Sequence, residues 1–208
     1  MRSVILPLVV VLTVAVSCVE RRTGDGADCG IEFPLEEMRE GDLAFRRGRS
    51  FASHAVMAAG ERRMYSHVGV LVREGDNWRV IHAVPGETES AADFERVKDE
   101  TLGQFFAAGR ATHGELFHTG LSDSAAVSHI REEALRMARD SVRFDRDYDL
   151  STRDAVYCTE FVYLLYDDVG VDLSEGRRTK VNVPLLSREC LLPDDILLYS
   201  GNESYFRY

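Results

Sequence analysis

The alternation of apolar and polar positions divides the chain into an apolar leader, a polar bridge and a long region of mixed period. "GDLAFRR" (41–47) alternates after a turn signal, which predicts a short strand. "SFASHAVMAAG" (50–60) predicts a short helix, with Ser50 to cap its start and Gly60 to end it. "YSHVGVLVREGDNWRVIHAV" (65–84) sets two β-branched runs around "EGDN", a hairpin signal. Residues 99–108 read as helical and 109–116 as a strand. From Ser122 to Val142 the apolar positions Val127, Ile130, Ala134, Ala138 and Val142 recur at three- and four-residue steps. They predict a helix capped by Ser122 or Asp123. A further stripe, Phe161, Val162, Leu165 and Val169, predicts a helix over 158–169 that stops at Gly170. "DDILLYS" (194–200) reads as a strand near the end. Strands and helices mix without strict βα alternation, which argues for an α+β domain with an antiparallel sheet.

The hairpin has a consequence for two of the six histidines. With a loop of Gly75 and Asp76, or one of Glu74 to Asn77, the pairing is the same: Gly69 faces His82 and His67 faces Val84. Side chains alternate along a strand, so His67 and His82 share a face as diagonal neighbours, with Cβ atoms roughly 7–8 Å apart or somewhat less. Gly69 removes a side chain between them. A register slip of one residue would send the two rings to opposite faces.

Cys158 opens the helix predicted over 158–169. A buried cysteine alone is usually a small apolar residue. A thiol at a helix N-terminus beside a histidine is a nucleophile, with a pKa of roughly 3.5–7.5 in such settings. The pattern assigns His67 as base, His82 as its orienter and Cys158 as nucleophile, with N–H groups at the helix head to stabilise an oxyanion. His54, His113, His118 and His129 have no comparable context and are assigned to surface or packing roles.

The leader "MRSVILPLVVVLTVAVSC" has one early arginine and an apolar run shorter than the roughly 20 residues of a spanning helix. It fits a secretory signal over 1–17. Ser17-Cys18 resembles a bacterial lipobox, so Cys18 is the expected lipid attachment and residues 18–36 a polar tether. Residues 37–208 form the expected catalytic domain. The protein is then exported and anchored by lipid to a membrane, facing the periplasm or cell surface. Export implies an oxidising compartment, leaving Cys29 and Cys190 as a candidate disulfide.

Net charge changes the list of partners. At −10, with acidic residues dispersed, the chain lacks the basic footprint that nucleic acid requires. The length of 208 residues suits one domain with a sizeable core.

"GDLAFRR", "YSHVGVLV", "VIHAVPG" and "YCTEFVYLLY", in this order, resemble the circularly permuted papain-like cysteine amidases, the YiiX/YaeF-like relatives of NlpC-type cell-wall peptidases. The resemblance covers about residues 40–200. It implies a small antiparallel, barrel-like sheet packed with helices, and thiol-dependent chemistry at an amide or ester with no cofactor and no metal. It matches Cys158 to the nucleophile, His67 to the base and His82 to the third polar position; Tyr65 of "YSH" is a candidate substrate-binding residue. The expected substrate is cell-envelope material, a peptide or N-acyl compound. The alternative is a lipid acyl hydrolase or acyltransferase using the same triad. A non-enzymatic reading has His67, His82 and Cys158 binding zinc, whose preferred ligands are nitrogen and sulfur.

Overall fold

The computed structural model describes residues 30–87, 90, 93–183 and 186–208. The expected signal, the expected lipid attachment at Cys18 and most of the expected tether lie outside them. So does Cys29; its candidate partner Cys190 is a buried free thiol. No helix among the described residues is long and apolar enough to cross a membrane.

Among the described residues ten strands and five helices follow in order: β1 (Leu43–Gly48), α1 (Phe51–Ala59), β2 (His67–Glu74), β3 (Asn77–Val84), β4 (Arg96–Thr101), α2 (Leu102–Phe105), β5 (Ala111–His118), α3 (Ser124–Arg139), β6 (Arg143–Phe144), β7 (Ala155–Val156), α4 (Cys158–Asp167), β8 (Thr179–Val183), β9 (Leu186–Cys190), α5 (Pro193–Leu197) and β10 (Glu203–Arg207). Eight strands form one sheet in the order β10-β5-β1-β2-β3-β4-β6-β7, and β8 pairs with β9. All pairings in the larger sheet are antiparallel except β6 with β7. The α+β expectation holds. The barrel-like expectation does not: β10 and β7 end the order at opposite edges, and the sheet stays open.

The β2–β3 hairpin has the expected register, from Val70 opposite Ile81 to Glu74 opposite Asn77. Gly75 turns it with φ of 61°, a left-handed backbone that glycine adopts without steric cost. The central strands bury both faces. On one face Leu43, Phe45, Val70, Val72 and Ile81 meet α3, α4 and α5. On the other, Ala44, Leu71, Trp78 and Val80 meet Leu102, Phe105 and Phe106 of the α2 region. A strand buried on both sides reads as a continuous apolar run, as "VGVLV" does. Helix α4 contributes Phe161, Val162, Leu165 and Tyr166, all nearly inaccessible. Burial of each such side chain favours folding by roughly 1.5–3 kcal/mol.

Two elements depart from the pattern reading. Residues 99–101 belong to β4 and only 102–105 are helical, because Thr101 ends the strand and caps the helix. Its hydroxyl accepts from Gln104 N–H at 3.1 Å, and Gln104 accepts from Thr101 N–H at 2.9 Å. The expected strand over 194–200 is instead α5. Pro193 starts it, and the Asp195 carboxylate accepts from Leu192 N–H at 2.8 Å. Those start signals prevail over the apolar "ILLY" run, and the last strand lies later, at β10.

Gly69 is where the hairpin admits no side chain. A β-carbon there would lie 2.7 Å from Val80 Cγ1, 2.9 Å from the Ile81 carbonyl oxygen and 3.0 Å from His82 Cβ. Gly69→Ala is therefore expected to destabilise the fold by about 1–3 kcal/mol through overpacking. Chemical denaturation checks this, and an unchanged midpoint would contradict the packing described.

Candidate active site

The site is built at the end of the sheet where β2 begins. His67 is the first residue of β2 and is paired across the ladder with Arg46 of β1. His82 lies on β3, opposite Lys98 of β4. Alternation puts Arg46, His67, His82 and Glu100 on the same face, over which Phe105 closes. The Phe105 ring centroid is 5.7 Å from that of His67 and 5.0 Å from that of His82. Helix α4 packs on the opposite face, and only its first residue, Cys158, shares a cleft with His67. The backbone N–H groups of Val68 and Thr159 face the sulfur.

A chain of hydrogen bonds runs back from His67. Its Nε2 is 2.8 Å from His82 Nδ1, and His82 Nε2 is 3.0 Å from Glu100 Oε2. Arg110 Nη1 donates to both Glu100 oxygens, at 2.7 and 2.8 Å. Burial raises the Glu100 carboxyl, but the bonds from His82 and Arg110 outweigh it and hold the group well below the usual carboxylate range. Glu100 is thus ionised and only accepts. His82 must donate from Nε2, so its Nδ1 accepts from His67 Nε2–H. His67 then carries its lone pair on Nδ1. One anion at the far end fixes both tautomers and leaves a basic nitrogen at the near end.

Burial, the charge of Arg46 and the neighbouring His82 keep His67 well below its ordinary pKa, so the ring is neutral. His82 is lowered by burial against the pull of Glu100. Burial pushes the Cys158 thiol up, against smaller downward effects of Thr159, Val68 and Arg46. The sequence expectation of a depressed thiol pKa is corrected here: desolvation outweighs the helix N-terminus. The resting pair is a neutral thiol and a neutral imidazole.

Arg46 is almost fully buried, donates to the Phe105 carbonyl at 2.7 Å and pairs with Glu87 at 2.5 Å. The cleft encloses about 310 Å³. Its walls include Arg46, His67, Val84, Phe144, Tyr148 and Cys158, and α1 closes one side with Ala52, Ser53 and Val56. Tyr65 is not among the lining residues. Its ring packs on Phe45, 5.6 Å between centroids, and its hydroxyl donates to the buried Glu115, so its assignment to substrate binding is replaced by a packing role. Of the remaining histidines, His54 bonds the Ser50 carbonyl at 2.8 Å and His118 pairs with Asp42 at 3.0 Å.

Sequence reasoning missed Glu100, Arg110, Arg46 and Glu87. Reading 99–108 as helix removed Glu100 from the sheet. Taking 96–101 as a strand would have put Glu100 diagonal to His82. Arg110 follows a helical turn, and nothing in its local pattern marks it.

Fold and site together define an α+β domain with a buried His67–His82–Glu100 hydrogen-bond chain at one end of an open sheet, its first histidine sharing a cleft with Cys158. The crystal structure of the metalloprotein yiiX from Escherichia coli O157:H7 (DUF1105) is similar in fold, with a TM-score of 0.65 and 18% sequence identity over 82% of this chain and 97% of that one. No family model and no curated protein matches the sequence.

The neutral state of His67 has a pH signature. Unfolded, it takes up a proton below about pH 6.5, whereas the folded state excludes that proton. The unfolded state then binds more protons, so this residue's contribution to stability falls as pH drops through that value. Glu160, pushed up to about 8 by burial and by Asp145 and Asp149, acts with opposite sign. The comparison is therefore between wild type and His67→Gln. Between pH 7.5 and 5.5 wild type should lose about 1 kcal/mol more than the variant. Equal slopes would contradict a neutral, buried His67.

Proposed function

We propose that the protein is a thiol-dependent amidase or peptidase acting on an amide bond in cell-envelope material. Cys158 is the nucleophile and His67 the base; His82 and Glu100 position the base. The hydrogen-bond chain that leaves His67 Nδ1 free, in a cleft it shares with Cys158, carries this reading. His67 takes the thiol proton as sulfur attacks the carbonyl carbon. The buried Arg46 cation and the head of α4 provide positive potential for the oxyanion. Collapse of the tetrahedral adduct expels the amine, which takes the proton from His67. Water, deprotonated by the same nitrogen, then cleaves the thioester.

The alternative lipid acyl chemistry asks for a long apolar pocket. The cleft is short, about 310 Å³, and sets the charged Arg46, Arg49, Glu87 and Arg110 against an apolar wall of Val56, Val84, Pro85 and Phe144, which suits a compact substrate with a polar group rather than a long acyl chain. The yiiX structure is described as that of a metalloprotein. Here the donor set does not fit a metal. His82 has both ring nitrogens engaged and His67 has one left. Among the described residues no group of three or more His, Cys, Asp or Glu side chains is placed to hold an ion. The zinc reading of His67, His82 and Cys158 is set aside on that ground.

Cys158→Ala should abolish turnover of amide and ester substrates while the circular dichroism stays native. Glu100→Gln should lower kcat on the order of 10²-fold or more, since it removes the anion that sets the tautomers. Steady-state kinetics on an amide and ester panel check both, and full turnover by Cys158→Ala would overturn the assignment.

A further inference from the structure

Helix α1 forms one wall of the cleft, yet among the described residues its outer face has no partner. Phe51 is 90% exposed, and Ala52, Ala55, Ala58 and Ala59 are exposed with it. Spaced at i, i+1, i+4, i+7 and i+8, they form a single stripe. A helix face toward water is ordinarily polar; this one carries only His54 at its margin. Ala52 belongs to both the stripe and the cleft wall, so the stripe adjoins the cleft mouth.

The charge around this helix runs against that of the chain. Between 46 and 63 there are five arginines and one acidic residue, Glu61, in a protein of net charge −10. Arg46 is spent inside the site, but Arg49, Arg62 and Arg63 are exposed, and among the described residues they have no carboxylate partner. Arg47 donates to the Arg63 carbonyl at 3.2 Å, and Asp194 accepts from the N–H groups of Arg62 and Arg63 at 2.7 and 3.0 Å. These bonds fix the two ends of the basic flank relative to the helix.

We infer that α1 and its flanking arginines are a docking face that seats the mouth of the cleft on an anionic lipid surface. An exposed aromatic and small apolar residues framed by arginines suit the headgroup boundary, where rings insert and guanidinium groups meet lipid phosphates. A second copy of the chain fits less well. A symmetric pairing through α1 would bring the two arginine clusters together.

The test uses the full chain and reads lipid contact rather than turnover, so it stands or falls independently of the chemistry proposed for Cys158. Two variants, Phe51→Trp and Asp76→Trp, place an indole on α1 and at the hairpin tip. The tip lies at the far end of β2 from His67, roughly 25 Å away at strand rise. The buried Trp78 is a background common to both. With vesicles of anionic lipid brominated along its acyl chains, the Phe51→Trp emission should fall at least twofold and that of Asp76→Trp should hardly change. Replacing Arg49, Arg62 and Arg63 by Glu should remove the difference. Equal quenching at both positions, or equal quenching by anionic and zwitterionic vesicles, would overturn the proposal. So would a lipid-independent blue shift of Phe51→Trp that grows with protein concentration, which would identify a second copy as the occupant.

Discussion

The site depends on one buried anion. Glu100 lies in the sheet interior, where an unpaired carboxylate would be protonated or would destabilise the fold. The two-oxygen contact from Arg110 and the bond from His82 keep it charged. That charge dictates which nitrogen of His82 holds a proton, and His82 dictates the same for His67. Remove the charge and the two imidazoles regain several arrangements; keep it, and the lone pair of His67, a residue of the cleft wall, stays on Nδ1.

The fold is arranged to make this chain possible. A histidine pair joined by a 2.8 Å bond needs adjacent strands, a shared face and no side chain between. The hairpin register and Gly69 meet all three conditions. The proposed nucleophile, Cys158, comes from the opposite layer. Because α4 packs beneath the sheet and starts beside Val68 of β2, Cys158 lines the same cleft as His67. Phe105 covers the rings on the other side and, by excluding water, keeps them neutral. The same burial raises the thiol. In the proposed mechanism, activation therefore rests on proton transfer to a fixed imidazole during attack, not on a standing thiolate.

Much of this was legible in the residues. Alternation and the "EGDN" turn gave the hairpin register, and from that register came the shared face of His67 and His82. The apolar stripe of α4 placed Cys158 at a helix start. What escaped was set by tertiary context. Glu100 sits on a strand whose sequence, "RVKDET", is mostly charged and has weak β character; pairing with β3 makes it a strand. Arg110 reaches Glu100 across a loop, a contact with no periodic signal. The sign of the thiol shift also could not be read locally. It is decided by how deeply the sulfur is buried, and a helix N-terminus alone suggests the opposite. At α5, an apolar run resembled a strand, but Pro193 and two aspartates had already specified a helix start.

The central claim is the tautomeric state of two rings, and it is directly observable. Long-range nitrogen–proton correlation spectra of the imidazoles at pH 7, assigned by single substitution, report which nitrogen carries hydrogen. The account predicts that His67 and His82 are both neutral and both protonated at Nε2. A His67 protonated at Nδ1, or found as an imidazolium, would leave no base facing Cys158 and would contradict it.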